Sequence, residues 1–154
     1  MSTIEERLYL ETDSSCAYCG FRDNRALTIH HIEGAEPKDE AYDNKILLCH
    51  NCHQCHHHGK GPTKDQLETV KRRLIIKSLT QLGLNAMKEA NRRGQVSAFP
   101  FLVNHLIEFG YLKFKEPIWT SVEEDEGGTT EQVMQGWYTI TDDGRRLLEK
   151  WRLQ

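Results

Sequence analysis

The sequence has no surplus of positive charge, no long apolar run and no cysteine beyond Cys55. Its 20 Lys and Arg stand against 23 Asp and Glu, for a formal net charge of -3, which excludes a protein that holds nucleic acid by overall charge. Contact with a polyanion then depends on locally gathered basic groups or on a bound cation. No stretch is apolar for long enough to span a bilayer, so no membrane partner is expected. Met1 to Leu10 has neither a basic start nor a sustained apolar run, so no secretory leader is expected and a cytoplasmic location is. In such a reducing compartment the five cysteines favour metal ligation over disulfides. From Ser78 onward there is no cysteine and a single histidine, His105. That change of texture divides the chain into two small domains, 1–77 and 78–154, within the range a soluble chain of 154 residues allows.

What the first half does contain is concentrated. Cys49 to Gly59 reads CHNCHQCHHHG, three cysteines and five histidines in eleven positions. Packing alone makes no such demand, whereas thiolate and neutral imidazole are the donors that zinc and its first-row neighbours prefer. Cys49 and Cys52 form a C-x-x-C knuckle with an upstream counterpart in Cys16 and Cys19, and four thiolates close a tetrahedral structural Zn2+ site. His53 and His57 stand four apart, a spacing that on a helix puts both imidazoles on one face.

Along the chain, Glu5 to Glu11 is expected to form a short helix, and LTIHHI, from Leu27 to Ile32, a strand. A polar loop from Glu33 to Asp43 leads to a second, buried strand, Asn44 to Cys49, and then to the short helix that Gly59, Gly61 and Pro62 end. Thr63 and Gln66 read as a capping box opening a longer helix that carries Lys71, Arg72, Arg73 and Lys77. Those basic residues read either as a solvated face or as contacts to nucleic-acid phosphates.

The second half is expected to hold helices at Leu79 to Arg93 and Phe101 to Phe109. Strands follow at Tyr111 to Phe114, Ile118 to Val122 and Gln135 to Ile140, around an acidic loop from Glu123 to Glu131, and Thr141 starts a last helix. The order helix, helix, GYL, β-ribbon and YTITDDGRRLLEKW resembles a winged-helix domain over roughly residues 79–153. Its candidate recognition helix offers only Asn104, His105 and Glu108 as polar groups, and its ribbon tip is acidic. This domain is therefore expected to serve homodimer or protein-partner contact, with DNA reading through Lys113, Lys115 and the Arg92–Arg93 edge as the other possibility.

CAYCG, TIHHIEG, DNKILLCHNCH and the trailing His57, in that order over Cys16 to Gly59, resemble the HNH endonuclease family. The resemblance implies an α+β chain, with a zinc-braced ββα-metal fold followed by the winged-helix-like domain. It implies an enzyme that hydrolyses DNA phosphodiester bonds with one catalytic divalent metal, Mg, Mn, Ni or Zn. By the same resemblance His30, His53 and His57 are the metal ligands, His31 is the general base, and Asn44 holds His31 by a hydrogen bond across the hairpin. Successive strand residues face opposite ways, so different jobs for His30 and His31 are reasonable. Alternatives stay open at this level. His50, His56 and His58 also offer imidazoles, Asn44 can be a turn residue, Cys55 lies outside both sites, and the whole can be a non-catalytic zinc-stabilised binding or adaptor protein.

Overall fold

The computed structural model describes residues 3–125 and 127–154; Met1 and Ser2 of the first domain and Glu126 of the acidic tip lie outside the described residues. Helices and antiparallel sheets make up two compact units that meet in sequence between Ser78 and Leu79. No helix among the described residues is long and apolar enough to cross a membrane.

In the first unit, α1 (Ile4–Glu11) starts at a capping box, Thr3 Oγ1 accepting from the Glu6 amide and Glu6 accepting from the Thr3 amide. β1 (Leu27–His31) pairs antiparallel with β2 (Lys45–Cys49), with His30 opposite Ile46 and His31 opposite Lys45. Ile46, Leu47 and Leu48 are all fully buried, so β2 is covered on both faces, as its unbroken apolar run requires. α2 (His50–His57) begins directly at the end of β2, capped by the Cys49 sulfur, which accepts from the Cys52 amide. The residue that ends the strand therefore also starts the helix and belongs to the metal knuckle. α3 (Lys64–Arg93) opens at the Thr63–Gln66 box read in the sequence and is broken at Thr80, which has φ 61° and ψ 162°. Leu67 and Ile75 on its first arm join Leu8 in the core.

Lys71 lies on that same i, i+4 stripe and is fully buried. Its Nζ reaches Glu11 Oε1 at 2.8 Å and sits 3.6 Å from the centre of the Tyr42 ring, while the Tyr42 hydroxyl donates to the other Glu11 oxygen. Burial pulls the Lys71 ammonium down to about 8 against the opposing pull of Glu11. The expectation of a phosphate contact at Lys71 is thereby corrected: a cation enclosed between a carboxylate and an aromatic face has no route to DNA. Arg72, Arg73 and Lys77 are exposed, and Lys77 Nζ donates to the Glu11 carbonyl at 3.3 Å.

The second unit contains the second arm of α3, β3 (Val96–Ala98), α4 (Pro100–Glu108), β4 (Leu112–Asp125), β5 (Gly128–Ile140) and α5 (Asp142–Lys150). Its sheet has the order β3-β5-β4, wholly antiparallel. β3 was not expected; three residues between a glycine and a helix carry too little periodicity to be read. The two expected strands of the ribbon's first half are one, β4, whose register slips on either side of Pro117, as an edge strand tolerates around a residue without an amide proton. The expected acidic loop is largely ladder, since Glu123 pairs with Thr130, Glu124 with Thr129 and Asp125 with Gly128. Interleaving acids with β-branched threonines spares the ribbon like-charge pairs. Gly83 is required inside its helix because a Cβ there would lie 2.7 Å from His105 Nε2, which donates to the Leu79 carbonyl.

Candidate metal centres

The four sulfurs of Cys16, Cys19, Cys49 and Cys52 lie within 4.8 Å of one another, three of the residues buried and Cys19 exposed. The first knuckle turns at Gly20, whose amide donates to the Cys16 carbonyl, and is tied to β2 by the Ala17 amide on the Leu47 carbonyl. Burial raises the Cys16 thiol, but the amides of Cys19, Cys49 and Tyr18 outweigh it and bring it down to about 7. Burial and the neighbouring Cys19 and Cys49 sulfurs push Cys52 upward. A thiol is a metal ligand as its thiolate, so a cation bound by this cluster would displace the thiol protons. The donor set fits structural zinc. Cys55 is outside it, its sulfur 3.9 Å from Asn51 Oδ1.

The second cluster arises from the same hairpin and helix. His30 alternates inward on β1 and is 6% exposed, while His53 and His57 stand one turn apart on α2. One nitrogen from each lies within 4.8 Å of the others, and the Nε2 atoms of His53 and His57 are 3.1 Å apart. His30 Nε2 is buried with no hydrogen-bond partner among the described residues. Burial first, then repulsion by His56, His53 and His57, lowers the His30 pKa to about 4, and burial lowers that of His53 as well. Burial thus favours the neutral, ligating form of His30 and His53, and one nitrogen of each meets one of His57. Two nitrogens bound to one zinc at about 2.0 to 2.1 Å would be roughly 2.9 to 3.4 Å apart in octahedral or tetrahedral geometry. An orphaned buried nitrogen together with that spacing fits a divalent cation of the imidazole-binding kind.

Of the alternative donors, His56 is turned away at one nitrogen, its Nδ1 donating to the Pro62 carbonyl at 2.6 Å, although its ring centre is 4.8 Å from that of His30. His50 and His58 are exposed and, like His56, outside the three-nitrogen cluster. The structure thus brings together His30, His53 and His57.

His31, on the other face of β1, is partly exposed, and its Nε2 lies 3.0 Å from Glu40 Oε1. The expected bond from Asn44 to His31 is corrected. Asn44 sits in a 3-10 turn just before β2 and is 2% exposed. Its Oδ1 accepts from the Glu33 amide at 2.8 Å, and its Nδ2 donates to the carbonyls of Glu33 at 3.1 Å and Asp39 at 2.8 Å. Both N–H donors of the amide and its oxygen are engaged with the loop backbone, so Asn44 is held there and donates nothing to an imidazole. Glu40 and Glu11 are the residues that sequence reasoning missed. Nothing local distinguishes Glu40 from the other acids of its loop; for Glu11, the placing of Lys71 on the apolar stripe was a legible sign that a buried counter-ion was needed.

No curated protein and no solved structure matches this chain. Residues 16–59, which hold both cysteine pairs, the hairpin, α2 and all three converging histidines, match the family model of the HNH endonucleases.

Proposed function

We propose that the chain is a metal-dependent HNH endonuclease that hydrolyses DNA phosphodiester bonds. The observation that carries this is the convergence of His30, His53 and His57 on one point, beside and separate from the four-cysteine cluster. A scaffold braced by cysteine has no use for two further imidazoles converging on the orphaned buried nitrogen of His30. His30, His53 and His57 would hold a divalent metal, Mg, Mn, Ni or Zn, which when bound offsets charge on the phosphate and on the departing oxygen. His31 takes the proton of the attacking water, and its place on the opposite face of β1 keeps its lone pair out of the ligand set. Asn44 shapes the loop between the strands. Arg72, Arg73 and Lys77 supply exposed positive charge for phosphate contacts, and Arg73 shares a shallow cleft with Tyr18 of the first knuckle.

The second unit, residues 78–154 in this reading, is a winged-helix-like domain for dimerisation or partner contact. Its order of helix, short strand, helix, long ribbon and helix supports that assignment. Two features weigh against DNA reading by it. His105 is engaged with the Leu79 carbonyl, which leaves Asn104 and Glu108 as the exposed polar groups of α4, and the ribbon tip carries Glu123, Glu124 and Glu131. Cleavage by the isolated chain should therefore show little sequence preference.

Plasmid nicking by the zinc-loaded chain with Mg, Mn, Ni or Zn added tests the reading, together with metal content. His31→Ala should keep the second metal and lose about 10² to 10⁴ in rate, whereas His57→Ala should lose the metal. One zinc per chain, with no second metal and no nicking, would instead support a non-catalytic zinc-stabilised binding protein.

A further inference from the structure

We infer that Glu40 is the positioning residue of His31, holding its proton on Nε2 and presenting Nδ1 to the attacking water; this rests on the nuclease reading above. Both oxygens of the carboxylate are engaged although the side chain is 65% exposed, Oε1 with His31 Nε2 at 3.0 Å and Oε2 with Lys45 Nζ at 2.5 Å. Lys45 is the register partner of His31, so the hairpin delivers the imidazole and the ammonium side by side on one face. The loop then returns the carboxylate between them. Its backbone is pinned on both sides of Glu40: Asn44 Nδ2 donates to the Asp39 carbonyl at 2.8 Å, the Ala41 amide to Asp39 Oδ1 at 2.9 Å, and the Asn44 amide to the Ala41 carbonyl at 3.0 Å. Asn44 therefore acts on the base at one remove, by fixing the loop that carries its partner.

The chemistry follows from what a carboxylate can do. Ionised, it only accepts, so the imidazole nitrogen facing it must carry the hydrogen and the other must carry the lone pair. Lys45 holds Glu40 in that ionised state, its ammonium being the first cause that lowers the Glu40 carboxyl. When His31 takes a proton from water at Nδ1, the ring becomes a cation and the adjacent carboxylate offsets its charge. A base oriented by a third group is the general logic of an activated-water or activated-nucleophile site.

Two readouts on the full chain test this. In nitrogen-15 NMR, His31 should show a protonated, hydrogen-bonded Nε2 and an unprotonated Nδ1, and Glu40→Ala should shift the Nε2 resonance towards that of a solvated imidazole. In plasmid nicking, Glu40→Ala should lower kcat about 10- to 100-fold with KM and second-metal occupancy unchanged. Glu40→Gln, which keeps an acceptor, should recover part of that. Lys45→Met, which removes the ion pair and leaves the imidazole contact, should fall well short of the Glu40→Ala loss; equal losses would reduce Glu40 to a loop anchor and overturn the inference. Unchanged His31 resonances in Glu40→Ala would overturn it independently of cleavage. A wild-type chain that shows the Nε2 signature but nicks no DNA would sink the nuclease reading itself, and the positioning role with it.

Discussion

Replacing Asn44 by alanine removes three hydrogen bonds to loop backbone: one from the Glu33 amide and two to the carbonyls of Glu33 and Asp39. At about 0.5 to 1.5 kcal/mol net for each, the loss spans roughly 1.5 to 4.5 kcal/mol. Glu33 and Asp39 are exposed, so water takes over part of their bonding and the lower half applies, about 2 kcal/mol. The diagnostic variant is Asn44→Asp. Its carboxylate still accepts from Glu33 but faces two carbonyl oxygens where the amide donated, so it should be no more stable than alanine. Were Asn44 an orienter of His31, aspartate would serve an imidazole at least as well. All three tryptophans lie in the Leu79–Gln154 unit, so their fluorescence would watch the other half. Amide hydrogen exchange at Ile46 to Leu48 in the zinc-loaded chain is the suitable assay, and about 2 kcal/mol corresponds to roughly thirtyfold faster exchange. Exchange within threefold of wild type for Asn44→Ala, or an Asn44→Asp chain clearly more stable than Asn44→Ala, would refute the loop-staple account.

Cys16→Ala, or a strong zinc chelator, should unfold the hairpin of the first unit, because the site ties the first knuckle to the strand-helix junction; a variant that kept one zinc and native hairpin amides would refute it. Lys71→Ala strands a carboxylate whose side chain is 1% exposed and should cost about 3 to 5 kcal/mol in thermal unfolding. The Lys71→Met, Glu11→Gln pair should recover much of that and bind DNA as the wild type does; weakened binding by the folded double variant would restore Lys71 as a phosphate contact. In chain freed of metal at the histidine site, His30 is neutral down to about 4 when folded, against about 6.5 when unfolded. Across that window the unfolded chain binds the extra proton, so the His30 contribution is complete above pH 6.5 and lost as pH falls towards 4, up to about 3 kcal/mol. Comparing wild type with His30→Asn cancels the acid lability of the thiolates; parallel pH profiles would contradict the shift.

The two donor clusters were legible in the order of residues because donors for zinc are chemically unlike anything a core needs, and because C-x-x-C and a four-residue histidine spacing are local geometry. The same holds for β1, β2 and α2, whose periodicity and punctuation lie within a few residues of one another. Tertiary structure alone decided what depends on a return of the chain. Lys71 reads as one more charge on a basic helix until α1 brings Glu11 and the loop brings Tyr42, and only then is burial of its ammonium tolerable. Asn44 was expected to bond His31 and instead bonds the loop backbone, since a pattern names a residue type and not the groups its amide meets. The ribbon tip misled for a related reason: an acidic, glycine-containing segment looks like a loop from composition, whereas pairing Glu123 and Glu124 with threonines and Glu131 with Val122 across the ladder keeps like charges apart and lets it stay a strand. Sequence by itself determined which atoms this protein can offer to a metal. The fold decided which charges face solvent, which are enclosed, and that the residue facing the proposed base His31 is Glu40.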